Sequence, residues 1–151
     1  MKTACALAVL FIAALAGIAP ALAQTPTVAG VWQQIDPDTG KVGAHVTFAD
    51  QGNGVFTGQL SKLFPEPGDD PNPRCTACSG AQKNKPLLGL TFIWGMRRSG
   101  LDYEGGTILD PETGSLYNAN MKLSPDGQSL TLRGYVGIPL FGQSQVWKRI
   151  E

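Results

Sequence analysis

The chain alternates apolar and polar residues in short stretches separated by turn sequences, and this alternation constrains the fold more than any other feature. In residues 42–48 the even positions are Val, Ala, Val and Phe, whereas Gly, His and Thr lie between them. Because successive side chains of a strand point to opposite faces, a period of two predicts half-buried strands. We predict eight strands, at 30–36, 42–48, 55–64, 87–96, 101–109, 116–123, 129–135 and 143–150.

Short turns separate these strands, and no long segment has the period of a helix. The turn sequence D-P-x-T-G occurs twice, at 36–40 and 110–114. Eight antiparallel strands can close into a barrel or form a two-sheet sandwich. Glycines inside the predicted strands favour the barrel, because Gly permits the bends that closure needs. The prediction is therefore an all-β, about eight-stranded antiparallel β-barrel, which side chains can fill or which can hold one small ligand.

The segment 87–96, LLGLTFIWGM, is the most apolar stretch after residue 23. Its composition favours a strand, although pattern alone leaves a helical turn at its start open. As a strand it would place five apolar side chains on one face: Leu88, Leu90, Phe92, Trp94 and Met96.

The first 23 residues have the features of a secretory signal peptide. Lys2 precedes an apolar run at 4–18, and an A-x-A sequence ends at Ala23. Short apolar runs followed by such a site are typical of cleaved export signals. We therefore expect cleavage after Ala23, a single domain at 24–151 and a periplasmic or secreted location.

The charge balance argues against nucleic acid as a partner. Residues 24–151 carry 11 Lys or Arg and 12 Asp or Glu, with no basic stripe. Nucleic-acid-binding domains concentrate basic charge on one surface. The same residues include no apolar run of the length that spans a bilayer, so no stable membrane span is expected.

A Pro-rich stretch at 65–86 predicts a long loop, and it contains Cys75 and Cys78. Haem attachment is excluded because residue 79 is Ser rather than His. A redox C-x-x-C normally begins a helix in a βαβ unit, which the pattern lacks. Zinc would need His45 and an aspartate such as Asp69 or Asp70 as further ligands. In an exported protein the simplest interpretation is a local disulfide, with no metal and no cofactor.

Several sequence motifs resemble known families. Gly30-Val31-Trp32 is similar to the G-x-W signature of lipocalins, and that resemblance implies that Arg149 packs across Trp32 to close the barrel. An ordered set, GVWQQIDPDTG, CTACSG, NKPLLGL, EGGTILDPETGSLY, LRGYVGIPLFG and VWKR, resembles the bacterial exported family called domain of unknown function 2147. The resemblance covers about residues 28–150 and implies a lipocalin-like barrel without an established reaction.

Candidate ligand contacts come from aromatic and basic residues on predicted strands. They are Trp94, Phe92, Tyr103, Tyr117 and Arg133. The leading hypothesis is a periplasmic lipocalin-like protein that binds a small apolar or amphipathic ligand and has no catalytic residues.

Two alternatives remain open. The protein could be an envelope interaction module with a filled barrel, acting through its surface or as a homodimer. It could also be an envelope hydrolase that uses His45 or the paired carboxylates Asp102 and Glu104. Because alternation also produces such pairs on any solvated strand face, we expect these three side chains to lie on the surface.

Overall fold

A computed structural model describes residues 24–151, and the predicted signal peptide at 1–23 lies outside the described residues. Eight strands and one 3-10 turn, Gly80–Gln82, make up the regular structure of this part of the chain. The strands are β1 (Gly30–Ile35), β2 (Val42–Asp50), β3 (Val55–Leu63), β4 (Thr91–Ser99), β5 (Asp102–Leu109), β6 (Leu116–Leu123), β7 (Ser129–Tyr135) and β8 (Gly142–Arg149). The predicted all-β class and the number of strands are confirmed.

Each strand pairs antiparallel with the next along the chain, and β1 pairs with β8 to close the barrel. The closing ladder joins Trp32 to Arg149 and Gln33 to Lys148. By comparison, β7 and β8 are joined by seven register pairs. Closure covers the edges of β1 and β8 where these strands pair, at the ends of the strands that carry Trp32 and Arg149, and so removes part of the template for pairing with other chains.

The predicted strand at 87–96 is wrong in its first part. Residues 87–90 form a turn, in which the Leu90 N–H donates to the Leu87 carbonyl at 3.0 Å. Leu88, expected on the buried face, is 58% exposed.

Two irregularities in β4 also break the predicted single apolar face. The register against β3 shifts twice, and the consecutive residues Phe92 and Ile93 are both buried. Gly95 adopts a φ of 71°, which favours glycine. An extra residue at a bulge changes the face to which later side chains point, so alternation cannot continue through it.

The core fills one end of the barrel, which we call the base. Its largest fully buried side chains include Trp32, Phe48, Tyr103, Met96 and Trp147. The segment before β1 crosses this end, where Val28 is fully buried and its N–H donates to the Tyr103 hydroxyl at 2.8 Å. The Trp32 indole N–H donates to the Val28 carbonyl at 2.9 Å. The base is therefore closed by packed side chains and by the chain itself.

Arg149 fixes this segment to the base. Its guanidinium carbon lies 4.4 Å from the centroid of the Trp32 ring. Its nitrogens donate to the carbonyls of Gly127 and Ala29 at 2.6 Å each, and to that of Thr27. Burial lowers the pKa of Arg149 from its ordinary value. A further hydrogen bond reaches the Glu151 backbone oxygen at 3.3 Å, so the charge is held by backbone oxygens and an aromatic face.

Candidate functional site

The end opposite the base contains a cavity of about 760 Å³. Because strands alternate in direction, the β1–β2, β3–β4, β5–β6 and β7–β8 connections all lie at this end, which we call the mouth. Most of the cavity wall is apolar, with Ala44, Leu60, Leu63, Leu87, Phe92, Ile108, Leu132 and Trp147 among the lining residues. The barrel is therefore packed at the base and hollow toward the mouth.

Three glutamines form a polar strip on the cavity wall. Gln34 comes from β1, and Gln143 and Gln145 come from β8. The Gln34 carboxamide donates to Gln145 Oε1 at 3.5 Å, and the Trp147 indole N–H donates to the same oxygen at 3.0 Å. The strip offers amide donors and acceptors to a guest molecule beside an otherwise apolar wall.

Sequence reasoning missed the glutamine strip, although a signal for it existed. Gln34 lies two residues after Trp32, and Gln143 and Gln145 share their parity with Trp147. Once both tryptophans are taken as inward-facing, alternation places all three amides inside.

The two D-P-x-T-G turns form part of the cavity rim. Asp36 and Pro37 line it from the β1–β2 turn, and Asp110 and Pro111 line it from the β5–β6 turn. The Asp36 carboxylate accepts from the backbone N–H groups of residues 38 and 39 at 2.9 and 2.8 Å. Those hydrogen bonds, with one from the Thr39 side chain, lower the pKa of Asp36. Asp110 makes the equivalent bonds, at 2.9 Å to the N–H of residue 112 and 2.8 Å to the Thr113 hydroxyl.

The long β3–β4 connection carries the predicted disulfide, and the two cysteines lie at bonding distance with Cα atoms 5.3 Å apart. Both are buried, and Cys75 contacts the Pro111 carbonyl at 3.4 Å. A Cβ on Gly114 would lie 2.1 Å from the Ala77 carbonyl oxygen. The disulfide therefore does not enter the cavity lining; it holds the connection against the β5–β6 turn at the rim.

The structure brings two of the five candidate ligand residues to the cavity. Phe92 and Tyr117 line it. Tyr103 lies in the base, and Trp94 is half-buried against the core and does not line the cavity. Arg133 lies on the outer wall, where it donates to the Pro139 carbonyl at 2.6 Å and to the Ser144 hydroxyl at 2.8 Å.

The titratable side chains considered for catalysis lie outside the cavity. His45 is half-buried on the outer face of β2, with its ring 4.8 Å from that of Phe64 in an edge contact. Asp102 pairs with Lys122 at 3.4 Å across β5 and β6, and Glu104 is exposed. Within residues 24–151, no three His, Cys, Asp or Glu side chains converge as a metal site would require. No helix in the same residues has the length and apolar character to cross a membrane.

Comparison with solved structures finds the same architecture in a protein of low sequence identity. Protein HP1028 from Helicobacter pylori, described as belonging to the lipocalin family, superposes with a TM-score of 0.71 at 18% identity. The match covers 84% of this chain and 85% of the other. At this identity the likeness shows the fold, a lipocalin-like barrel. Comparison with curated proteins finds no significant match.

The sequence profile of one protein family matches almost the whole described chain. It covers residues 30–149, from the first residue of β1 to the last of β8, and its description reads "Uncharacterized protein conserved in bacteria". The match includes both rim turns, the cysteine pair and the Trp32–Arg149 closure. The chain belongs to the domain of unknown function 2147 family.

Proposed function

We propose that this protein is a periplasmic binding protein that holds a small apolar or amphipathic molecule inside its barrel. The cavity at the mouth carries this proposal. Its volume of about 760 Å³ lies within the range of roughly 300–1,000 Å³ typical of small-molecule sites. An apolar wall with a few convergent polar groups is the usual composition of such a site. The periplasmic location rests on the predicted signal peptide.

The residues that face the cavity support binding rather than hydrolysis. The cavity lining contains no Ser, Thr, Cys, His or Lys, and its three carboxylates, Asp36, Asp110 and Glu112, all lie in the two rim turns. The paired carboxylates and the histidine considered for catalysis lie on the outer wall. The glutamine strip and Tyr117 instead provide hydrogen bonds that orient a guest, while the leucines and Phe92 bury its apolar part.

A cavity-filling variant tests the proposal. Ala44 lines the cavity on β2, so Ala44→Phe would place a ring in the space that a ligand needs. Ala49 is exposed on the same strand with the opposite parity, so Ala49→Phe makes the same change outside the barrel.

The assay is fluorescence of the uncharged probe N-phenyl-1-naphthylamine, with native mass spectrometry of protein purified from its host. We expect the wild-type protein and Ala49→Phe to bind the probe. Ala44→Phe should lose at least about tenfold in affinity, which corresponds to about 1.4 kcal/mol of binding free energy, because its ring occupies the space that the probe needs. Equal probe binding by all three proteins, or none by the wild type, would contradict a guest inside the barrel.

A second candidate function, a homodimeric interaction module, is favoured by one surface feature. The β7–β8 connection exposes four apolar side chains, Val136, Ile138, Leu140 and Phe141, which are 53–75% exposed. Exposed apolar clusters often mark interaction sites. Light scattering of the wild type and of the double variant Leu140→Ser/Phe141→Ser tests this candidate, and a monomeric wild type at high concentration would remove it.

A further inference from the structure

We infer that the ligand is a cationic amphiphile, with its apolar body in the barrel and an amine or ammonium group at the mouth. This inference rests on the proposed binding function and specifies the ligand's charge. The residues that line the cavity include three carboxylates, Asp36, Asp110 and Glu112, and no Lys, Arg or His. An anionic group at the rim would therefore face like charges without a basic partner, whereas a cation would face opposite charges.

The connections around the mouth have the same sign of charge. The β1–β2, β3–β4, β5–β6 and β7–β8 connections together carry seven acidic and four basic residues. Three of the basic side chains are already engaged: Lys41 pairs with the acidic Glu66 at 2.9 Å, and Arg74 and Lys83 donate to backbone carbonyls at 2.9 and 3.5 Å. An excess of negative charge around a low-dielectric cleft raises the local concentration of cations and lowers that of anions.

Glu112 is the carboxylate best placed to meet a cation. The oxygens of Asp110 accept hydrogen bonds within its own turn, as Asp36 Oδ1 does. The Glu112 side chain makes no hydrogen bond or ion pair within the described residues. Both of its oxygens are thus available to a group that enters the mouth.

Aromatic rings in the lining add a second attraction for a cation. Tyr117 and Phe92 line the cavity below the rim. Tyr117 has the same strand parity as the buried Ala119, so its ring faces inward. A cation over an aromatic face gains free energy that an alcohol or a carboxylate does not. The cavity lining therefore combines carboxylates and aromatic rings, and both attract an organic ammonium group.

Matched ligands test the inference on the full mature chain. Decylamine, decanol and decanoate share one chain length and differ in charge at neutral pH. Each is titrated, below its micelle concentration, against bound N-phenyl-1-naphthylamine. We expect decylamine to displace the probe at a concentration at least about fivefold lower than decanoate requires, and decanol to require an intermediate concentration. The difference should shrink at high salt, because salt screens charges at an exposed rim.

Two outcomes overturn the inference while leaving the binding function in place: decanoate displaces the probe as well as decylamine, or decanol displaces it best. If the probe and all three compounds fail to bind, the proposed function itself is wrong and the charge preference falls with it. The two failures are therefore distinguishable.

Two variants that each remove one negative charge test whether the preference for decylamine arises at the rim. Glu112→Gln should weaken decylamine binding about two- to fivefold, the value of an exposed ion pair, and leave decanol binding unchanged. Glu104→Gln removes the same charge from the outer wall and should change neither. Glu112→Asp should restore most of the decylamine affinity. Equal effects of Glu112→Gln and Glu104→Gln on decylamine would overturn the role of the rim.

Discussion

Gly40 and Gly114 end the two D-P-x-T-G turns, and together they offer a controlled test of how the disulfide-bearing connection is held at the mouth. Their φ angles are nearly the same, 71° and 74°. A Cβ on Gly40 would meet nothing within 4 Å, whereas one on Gly114 would lie 2.1 Å from the Ala77 carbonyl oxygen. Substitution by alanine therefore imposes the same backbone cost at both sites, and a collision at only one of them.

The expected magnitudes follow from these two terms. Alanine in the left-handed region costs about 1–2 kcal/mol, so Gly40→Ala should lose that amount of unfolding free energy. At Gly114 the carbonyl must move by about 1 Å to restore an ordinary contact, and such overpacking adds about 1–3 kcal/mol. For a domain of this size, each kcal/mol lowers Tm by about 4 °C.

Two measurements show whether the collision at Gly114 lowers the stability of the whole domain or displaces the β3–β4 connection locally. Calorimetry gives the loss of Tm, and the rate of reduction by a phosphine reductant reports access to the Cys75–Cys78 bond, which is buried in the wild type. We expect Gly114→Ala either to unfold at a lower temperature than Gly40→Ala or to be reduced faster, because the connection must shift or lift. If the two variants match in both measurements, the connection does not dock on the β5–β6 turn.

Three further predictions concern the base and the disulfide. Arg149→Ala removes four hydrogen bonds to backbone oxygens and the contact with Trp32, so denaturant unfolding should show a loss of about 3–5 kcal/mol, against under about 0.5 kcal/mol for the exposed control Arg97→Ala. Burial raises the pKa of Tyr103. The contribution of the neutral Tyr103 side chain to stability is therefore complete below the ordinary tyrosine pKa of about 10 and is lost as the pH rises through the folded-state pKa. The free energy of unfolding should consequently fall less steeply in alkaline solution for Tyr103→Phe than for the wild type. Cys75→Ser should lower probe affinity more than it lowers Tm, since a ring this small contributes only about 2 kcal/mol, and an equal fall in stability without any change in probe binding would refute it.

Alternation predicted most of the fold because, in most strands, the buried side chains keep the same parity from one end of the strand to the other. It held along β2, where Ala44, Val46 and Phe48 are buried. It failed in β4, where the register shifts make Phe92 and Ile93 both buried. The position of a bulge depends on the partner strand as well as on the bulged strand. The sequence of one strand therefore shows a glycine that would permit a bulge, but it does not show where the bulge lies in the ladder.

The site was predicted less completely than the fold. Phe92 and Tyr117 were among the candidate ligand contacts because they are aromatic, as were Trp94 and Tyr103, and residue type alone could not separate the two pairs. The two tyrosines differ in depth along the barrel: Tyr103 packs in the base, and Tyr117 lies near the mouth. Depth depends on which hairpin connections share an end and on how far the core fills the barrel. The second of these requires the packed structure.

The short ladder between β1 and β8 has a consequence for the girth of the barrel. Backbone bonds join Val31 to Ile150 and Glu151, and register pairing stops at Gln33 and Lys148. Farther toward the mouth, within residues 24–151, the two strands meet through the 3.5 Å contact between the side chains of Gln34 and Gln145. Register pairing between β1 and β8 is therefore present at the base and absent toward the mouth. The upper barrel therefore lacks the backbone ladder that fixes the separation of these two strands in the lower half.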